Sequence, residues 1–138
     1  MIVLDTNVLS EEMKPAPARE VHRWLLRQNA AVLFTTAICE AEILAGLAAL
    51  PEGRRKRELE AAARSVLALL AGRILSFDRA AAPHYADVLA ARRMAGRPID
   101  GLDAQIASIA RLHGFAVATR DSSGFELTGV EVINPWQA

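Results

Sequence analysis

The chain opens Met1-Ile2-Val3-Leu4-Asp5-Thr6-Asn7, and the rest of the molecule is read outward from these residues. Ile2, Val3 and Leu4 form a short apolar run with two β-branched members, the mark of a buried strand. Asp5 interrupts that run at a place where a carboxylate is costly unless something binds it. In an open α/β sheet the carboxyl end of a strand forms the rim of the ligand crevice, which gives a polar residue there a use. What matters next is which other acids reach Asp5.

Beyond Asp5, residues Thr6 to Met13 read as a short helix capped by Asp5 or Thr6 and stopped by Lys14-Pro15-Ala16-Pro17. Ala18 to Asn29 places Val21, Trp24, Leu25 and Gln28 at helical spacing, and Val32-Leu33-Phe34 is a second strand. Helical composition resumes from Thr36 to Leu50, and Pro51-Glu52-Gly53 separates it from an Arg-, Glu- and Ala-rich helix reaching Ala71, which gives a helical hairpin. A third strand is expected over Arg73–Phe77, then a helix over Ala80–Ala95 with Asp78 as its cap. Asp100 precedes a helix over Gly101–His113 that Gly114 ends, followed by a fourth strand over Phe115–Thr119. A loop at Asp121-Ser122-Ser123-Gly124 and a last strand over Val130–Ile133 complete the chain. Short apolar strands alternating with helices specify an α/β fold with a five-stranded parallel sheet, one domain over residues 1–138.

Composition narrows the function. Sixteen basic residues balance 16 acidic ones, so the molecule as a whole has no electrostatic footprint for nucleic acid or membrane, and any basic surface is local. The most apolar region, Ala30 to Leu50, is broken by Thr35, Thr36, Glu40 and Glu42 and does not read as a membrane span. Asp5 arrives too early for a secretory leader, and Cys39 is alone, so a cytoplasmic protein without disulfides is expected, with Cys39 as a small buried filler.

Topology brings the acids together. Asp5 ends the first strand and Asp121 follows the fourth, so both lie at the carboxyl edge of the sheet. The helix after strand two carries Glu40 and Glu42 in its early turns at that edge, and the helix before strand four starts there with Asp103. Clustered carboxylates repel one another unless a divalent cation neutralises them, and an all-oxygen set suits Mg²⁺ or Mn²⁺ rather than zinc. The chemistry this permits is metal-assisted attack of water on a phosphodiester. The same acids also have a plainer reading as helix caps and turn residues, to which Asp100 as an N-cap and Asp121 as a turn residue lend themselves most. Asp103 shares a helical face with Ile106, Ala107 and Ala110, whereas helical geometry does not choose between Glu40 and Glu42.

At these residues the sequence resembles the PIN-domain family, and within it the VapC and FitB-like toxins of bacterial toxin–antitoxin pairs. The resemblance runs through Ile2-Val3-Leu4-Asp5-Thr6-Asn7, Glu42-Ile43-Leu44-Ala45-Gly46, Asp103-Ala104-Gln105-Ile106-Ala107, Ala118-Thr119-Arg120-Asp121 and Val132-Ile133-Asn134-Pro135-Trp136. It implies a three-layer α/β/α sandwich with strand order 3-2-1-4-5 and an Mg²⁺- or Mn²⁺-dependent ribonuclease whose metal is held by Asp5, Glu42, Asp103 and Asp121. It selects Glu42 over Glu40, and it makes Asp121 the most variable of the four, since family members often carry asparagine there. It gives Thr6 and Thr119 the part of ordering the site and Asn7 that of a structural amide. It further implies a homodimer and inhibition by a small antitoxin of the VapB or FitA kind that covers the active site, in pairs that bind their own promoter through the antitoxin.

The remaining features sort quickly. Arg54-Arg55-Lys56-Arg57 is either an RNA-phosphate contact or, more ordinarily, a solvated helix face paired with Glu52, Glu58 and Glu60. Of Arg92, Arg93, Arg97 and Arg120, which fall near the crevice, Arg120 beside Asp121 is the preferred substrate-phosphate contact. His22, His84 and His113 lack metal-ligand spacing, and Trp24 and Trp136 read as packing residues. An aspartyl-phosphate phosphatase would want a second Asp at position 7, which is Asn. The alternative to a nuclease is a catalytically weak or inactive module that serves mainly as the partner in a promoter-binding antitoxin complex.

Overall fold

The computed structural model describes all 138 residues. Five parallel strands, β1 (Ile2–Leu4), β2 (Leu33–Thr36), β3 (Ile74–Leu75), β4 (Ala116–Ala118) and β5 (Val132–Ile133), form one sheet in the order 3-2-1-4-5. Seven helices connect and cover them: α1 (Thr6–Glu12), α2 (Arg19–Leu26), α3 (Ala37–Ala48), α4 (Arg54–Leu69), α5 (Ala82–Met94), α6 (Gly101–His113) and α7 (Ser122–Phe125). This is the α/β/α sandwich the sequence leads one to expect, and none of its helices is long and apolar enough to cross a membrane.

β1 lies at the centre of the sheet, paired with β2 on one side and β4 on the other. Val3 pairs with Phe34 of β2 and with Val117 of β4, and both valines are fully buried. Val8, Leu9 and Val21 from α1 and α2 fill one part of the core, and Val88, Ile106, Ala107 and Ala110 from α5 and α6 fill another. Each of the valine, leucine and isoleucine side chains contributes roughly 1.5–3 kcal/mol when withdrawn fully from water, and each alanine less than about 1 kcal/mol.

Strand ends differ from the sequence reading: β3, β4 and β5 are shorter than expected, while β2 starts one residue later and runs on through Thr36. β3 keeps two residues of the five expected, and β5 begins at Val132 rather than Val130. Residues Ala30–Val32 form a 3-10 turn capped by Asn29, which delays β2 to Leu33. Asp78 does cap, but what it caps is a 3-10 turn over Arg79–Ala81 that leads into α5. The segment expected as a loop at residues 121–124 is the short helix α7, held by the Asp121 carboxylate at its start and by fully buried Phe125 at its end.

α6 matches the sequence reading at both ends. Asp100 Oδ1 accepts the Leu102 N–H at 2.6 Å, and Gly114 closes the helix at φ 71°. Nothing lies within 4 Å of a Cβ built on Gly114, so its substitution meets only the left-handed backbone. Gly114→Ala should therefore lower stability by about 1–2 kcal/mol, read as a shift of the urea midpoint with unchanged slope. An unchanged midpoint would show that the turn does not depend on glycine.

Candidate active site

Asp5 stands where β1 gives way to α1 and is only 6% exposed. Its backbone N–H donates to Ala118 O at 2.9 Å, which continues the β1–β4 ladder by one step. Its carboxylate is held on both oxygens. Oδ1 accepts the Thr6 N–H at 2.8 Å, while Oδ2 accepts the Thr119 hydroxyl at 2.8 Å and the Asn7 side-chain amide at 3.5 Å.

Asn7 and Thr119 tie the ends of β1 and β4 together. The Asn7 amide also donates to Thr119 Oγ1 at 3.1 Å, and its Oδ1 accepts the Arg120 N–H at 3.1 Å. Thr119 Oγ1 further accepts the Asp121 N–H at 3.1 Å, so the one hydroxyl donates to Asp5 and accepts from two neighbours. Every hydrogen-bonding capacity of the buried Thr119 hydroxyl is thereby used.

Of the two glutamates between which helical geometry does not choose, Glu42 is the one that Thr6 contacts. The Thr6 hydroxyl donates to Glu42 Oε1 at 3.0 Å, which brings the Glu42 carboxylate to the Asp5 edge. α3 is directed there by Thr36, whose hydroxyl caps it by accepting the Cys39 N–H at 3.1 Å. Cys39 is more than the filler it seems in the sequence. Its thiol lies 3.9 Å from Asp5 Oδ1, and burial followed by the Asp5 charge pushes the thiol pKa up, so that it stays protonated and able to donate.

Asp103 joins from the first turn of α6, half-buried above Ile106, Ala107 and Ala110. Burial, then the charges of Asp5, Asp100, Glu42 and Asp121, raise its pKa to about 7. Burial also raises Asp5 against the opposing bonds from Thr119 and Thr6, with repulsion from Asp121 adding to it. Glu42 is raised by burial and, against its bond from Thr6, by Asp5 and Asp100. Asp100 is thus an N-cap, as expected, whose charge is also felt at the crevice. The carboxylates do not converge on one point, and no three Asp, Glu, His or Cys side chains already stand in a ligating arrangement.

Asp121 is exposed and the most loosely committed of the four. Its Oδ1 accepts the Gly124 N–H at 3.2 Å and the Ser123 hydroxyl at 3.3 Å, so part of its capacity serves its own turn. A Cβ on Gly124 would stand 2.4 Å from Asp121 Oδ2, which makes glycine at 124 a condition for this placement.

The arginines separate into two kinds. Arg92 is buried, and its guanidinium donates to the carbonyls of Arg97, Pro98, Ser123 and Glu126. Arg97 is paired with Glu126 at 2.9 Å. Both clamp α5 to the segment around α7 and are structural. Arg120 is exposed at the crevice edge, and Arg93 is exposed at the end of α5. Of the basic run, Arg54 pairs with Glu58 and Lys56 with Glu52 along the face of the hairpin, the ordinary solvated arrangement. His22 contacts Glu12 and His113 packs on Phe115, neither of them bonded to Asp5, Glu42, Asp103 or Asp121.

The pH dependence of stability follows from Asp103. Its pKa is about 7 in the folded chain against an ordinary 3.8, so between these values the folded state holds the extra proton and stability falls as pH rises. In chelating buffer the melting temperature followed by circular dichroism should fall from about pH 5 to about pH 8. Asp103→Asn should flatten that fall and raise the melting temperature at the alkaline end by about 3 °C, a figure discounted for screening at the exposed half of the side chain. An equally steep fall in the variant would remove Asp103 from the interacting set.

Comparison with known proteins agrees with this fold. The family described as the PIN domain matches residues 2–130. A VapC ribonuclease of Sinorhizobium fredii is 46% identical over 99% of both chains, and the toxin FitB of Neisseria gonorrhoeae is 41% identical, again over 99% of both. A solved structure of FitAB bound to a DNA fragment superposes with a TM-score of 0.92 at 41% identity, covering 99% of this chain and 96% of that one. The chain belongs to the PIN-domain family, among relatives named VapC and FitB.

Proposed function

We propose that the chain is an endoribonuclease toxin that depends on Mg²⁺ or Mn²⁺, with Asp5, Glu42, Asp103 and Asp121 holding the metal. The observation that carries this reading is electrostatic. Four acids from four separate segments are brought to one edge of the sheet, where burial and then the charges of the neighbouring acids raise the Asp103 pKa to about 7. A protein keeps such an arrangement where function needs it. The donor set fits a hard divalent cation, being all oxygen and carboxylate-rich, with no histidine or thiolate among the four.

When bound, the cation supplies positive charge and Lewis acidity toward water and a phosphodiester. The rest belongs to the chain. Thr6, Thr119 and Asn7 fix the orientation of the Asp5 carboxylate, and the Thr6 hydroxyl fixes Glu42. The crevice edge also carries Arg120, the residue we assign to a substrate phosphate. Single-stranded or looped RNA suits an open crevice at a sheet edge.

The relatives support a partner as well as an activity. A ribonuclease and a toxin, each aligned along almost the whole chain, favour the toxin half of a pair, and FitAB bound to DNA favours a VapB- or FitA-like antitoxin with promoter binding by the complex. We assign the chain such an antitoxin partner, a homodimeric state and a cytoplasmic setting. A non-catalytic module would call for an incomplete acid set, and all four positions carry acids.

Cleavage of a single-stranded RNA in Mg²⁺ or Mn²⁺, compared with EDTA, tests the activity. Asp5→Asn and Asp103→Asn should each cost at least about 100-fold in kcat/KM with the far-ultraviolet spectrum unchanged, since each removes several kcal/mol of charge stabilisation. Asp121→Asn should cost about tenfold, in keeping with its divided contacts. Wild-type rates in either of the first two variants would sink the reading.

A further inference from the structure

Arg120 and Trp136 come from the ends of adjacent strands and meet at the rim of the crevice. The Arg120 guanidinium carbon lies over the Trp136 ring, 5.2 Å from its centroid. Both residues are anchored through their backbones. Arg120 N–H is held by Asn7 Oδ1 at 3.1 Å, and Asn7 in turn donates to Asp5, so the Arg120 backbone is two hydrogen bonds from the innermost carboxylate. Trp136 N–H is held by Asn134 Oδ1 at 2.9 Å, directly after β5, and β5 is registered on β4 through Ala118–Ile133 and the bond from Thr119 N–H to Ile133 O.

The guanidinium makes no ion pair. Glu11 feels its charge, but the Glu11 carboxylate is already held by Lys14 at 3.0 Å and by the Ala18 N–H at 3.1 Å. A guanidinium lying on an aromatic ring has one face covered while its edge keeps the forked N–H donors that match a phosphate. The ring also removes much of the rotamer freedom that an exposed arginine would otherwise lose on binding.

We propose that Trp136 is a positioning residue that presents the Arg120 guanidinium, donor edge outward, to an RNA phosphate next to the scissile one. The pair then forms a subsite that raises affinity for a longer strand and leaves the chemical step alone. This rests on the nuclease reading above, and deepens it by assigning a role to Trp136, which packing alone does not require to lie under a cation.

The test is steady-state cleavage of a fluorophore–quencher RNA oligonucleotide in Mn²⁺ by wild type, Arg120→Ala, Arg120→Lys, Trp136→Ala and Trp136→Phe. Arg120→Ala should raise KM about tenfold with kcat within about twofold, the loss expected for one charge-assisted contact. Its KM should also depend less on salt, by about 0.7 in the logarithmic slope for one phosphate contact to a single strand. Arg120→Lys should keep the wild-type slope but raise KM, because the charge stays and the fork is lost. Trp136→Ala should raise KM about threefold, and Trp136→Phe should restore most of it. In the Arg120→Ala background Trp136→Ala should add nothing, which a purely structural role for the indole would not produce.

Wild-type KM in Arg120→Ala, or an undiminished effect of Trp136→Ala in that background, would overturn the inference while leaving the nuclease reading intact. If wild type cleaves no RNA in either metal, the nuclease reading falls. Fluorescence anisotropy with the same oligonucleotide then decides the subsite, and equal affinity of wild type and Arg120→Ala overturns it.

Discussion

A carboxylate buried at the end of the central strand is the constraint on which the rest of the structure depends. Asp5 is almost wholly withdrawn from water, and an ionised group in that position costs several kcal/mol unless donors replace the lost solvent. Thr6, Thr119 and Asn7 supply those donors, yet burial still outweighs them and the pKa stays raised. The site therefore works against stability. Glu42, Asp103 and Asp121 add repulsion, and the apolar core around Val3, Val117 and Ile106 offsets it. Strain of this kind at a functional site, tolerated because the fold over-determines it, is the usual pattern of a stability–function trade-off.

Parallel topology makes the arrangement possible. With strand order 3-2-1-4-5, β1 has β2 on one side and β4 on the other, so both neighbours end beside Asp5. β4 leads into Thr119, Arg120 and Asp121, and β2 leads through Thr36 into α3 with Cys39 and Glu42. Thr35 adds a tie of its own, its hydroxyl donating to Leu4 O at 2.8 Å in the buried layer beneath the acids. An antiparallel neighbour would have carried half of these groups to the opposite edge.

How much of this is legible in the sequence depends on the range of the interaction. The β1 run, the Asp100 cap and the Gly114 stop are local signals, and the structure reproduces them at the expected residues. That Asp5, Asp103 and Asp121 lie toward one edge of the sheet follows from strand direction and is legible too. Glu42 over Glu40 is not, from the residues alone, because the hydroxyl that decides it is 36 residues away on α1. The same holds for Cys39, whose neighbour Asp5 lies 34 residues earlier, and for Arg92, whose carbonyl partners at Ser123 and Glu126 are 31 and 34 residues on. The edge strands β3 and β5 run short because each has a partner on one side alone, which removes the pairing that would extend them.

Differences among the four acids follow from how their oxygens are occupied. Asp5 has no free choice of rotamer, with both oxygens bound and the thiol of Cys39 behind it, so an amide in its place would set an NH₂ group against donors. Asp121 is exposed, and its Oδ1 is engaged by Ser123 and by the N–H of Gly124, so an asparagine there keeps its carbonyl for the same turn and gives up the charge alone. Asp103 makes no side-chain bond that fixes it and stands half-buried in the first turn of α6, which leaves it free to rotate toward whatever relieves the repulsion. A site with one fixed acid, one acid tethered by Thr6, one free to rotate and one shared with a turn has a rigid inner side and an adaptable outer side. That asymmetry places the rigid part at the strand, where topology holds it, and the adaptable part at the outer rim.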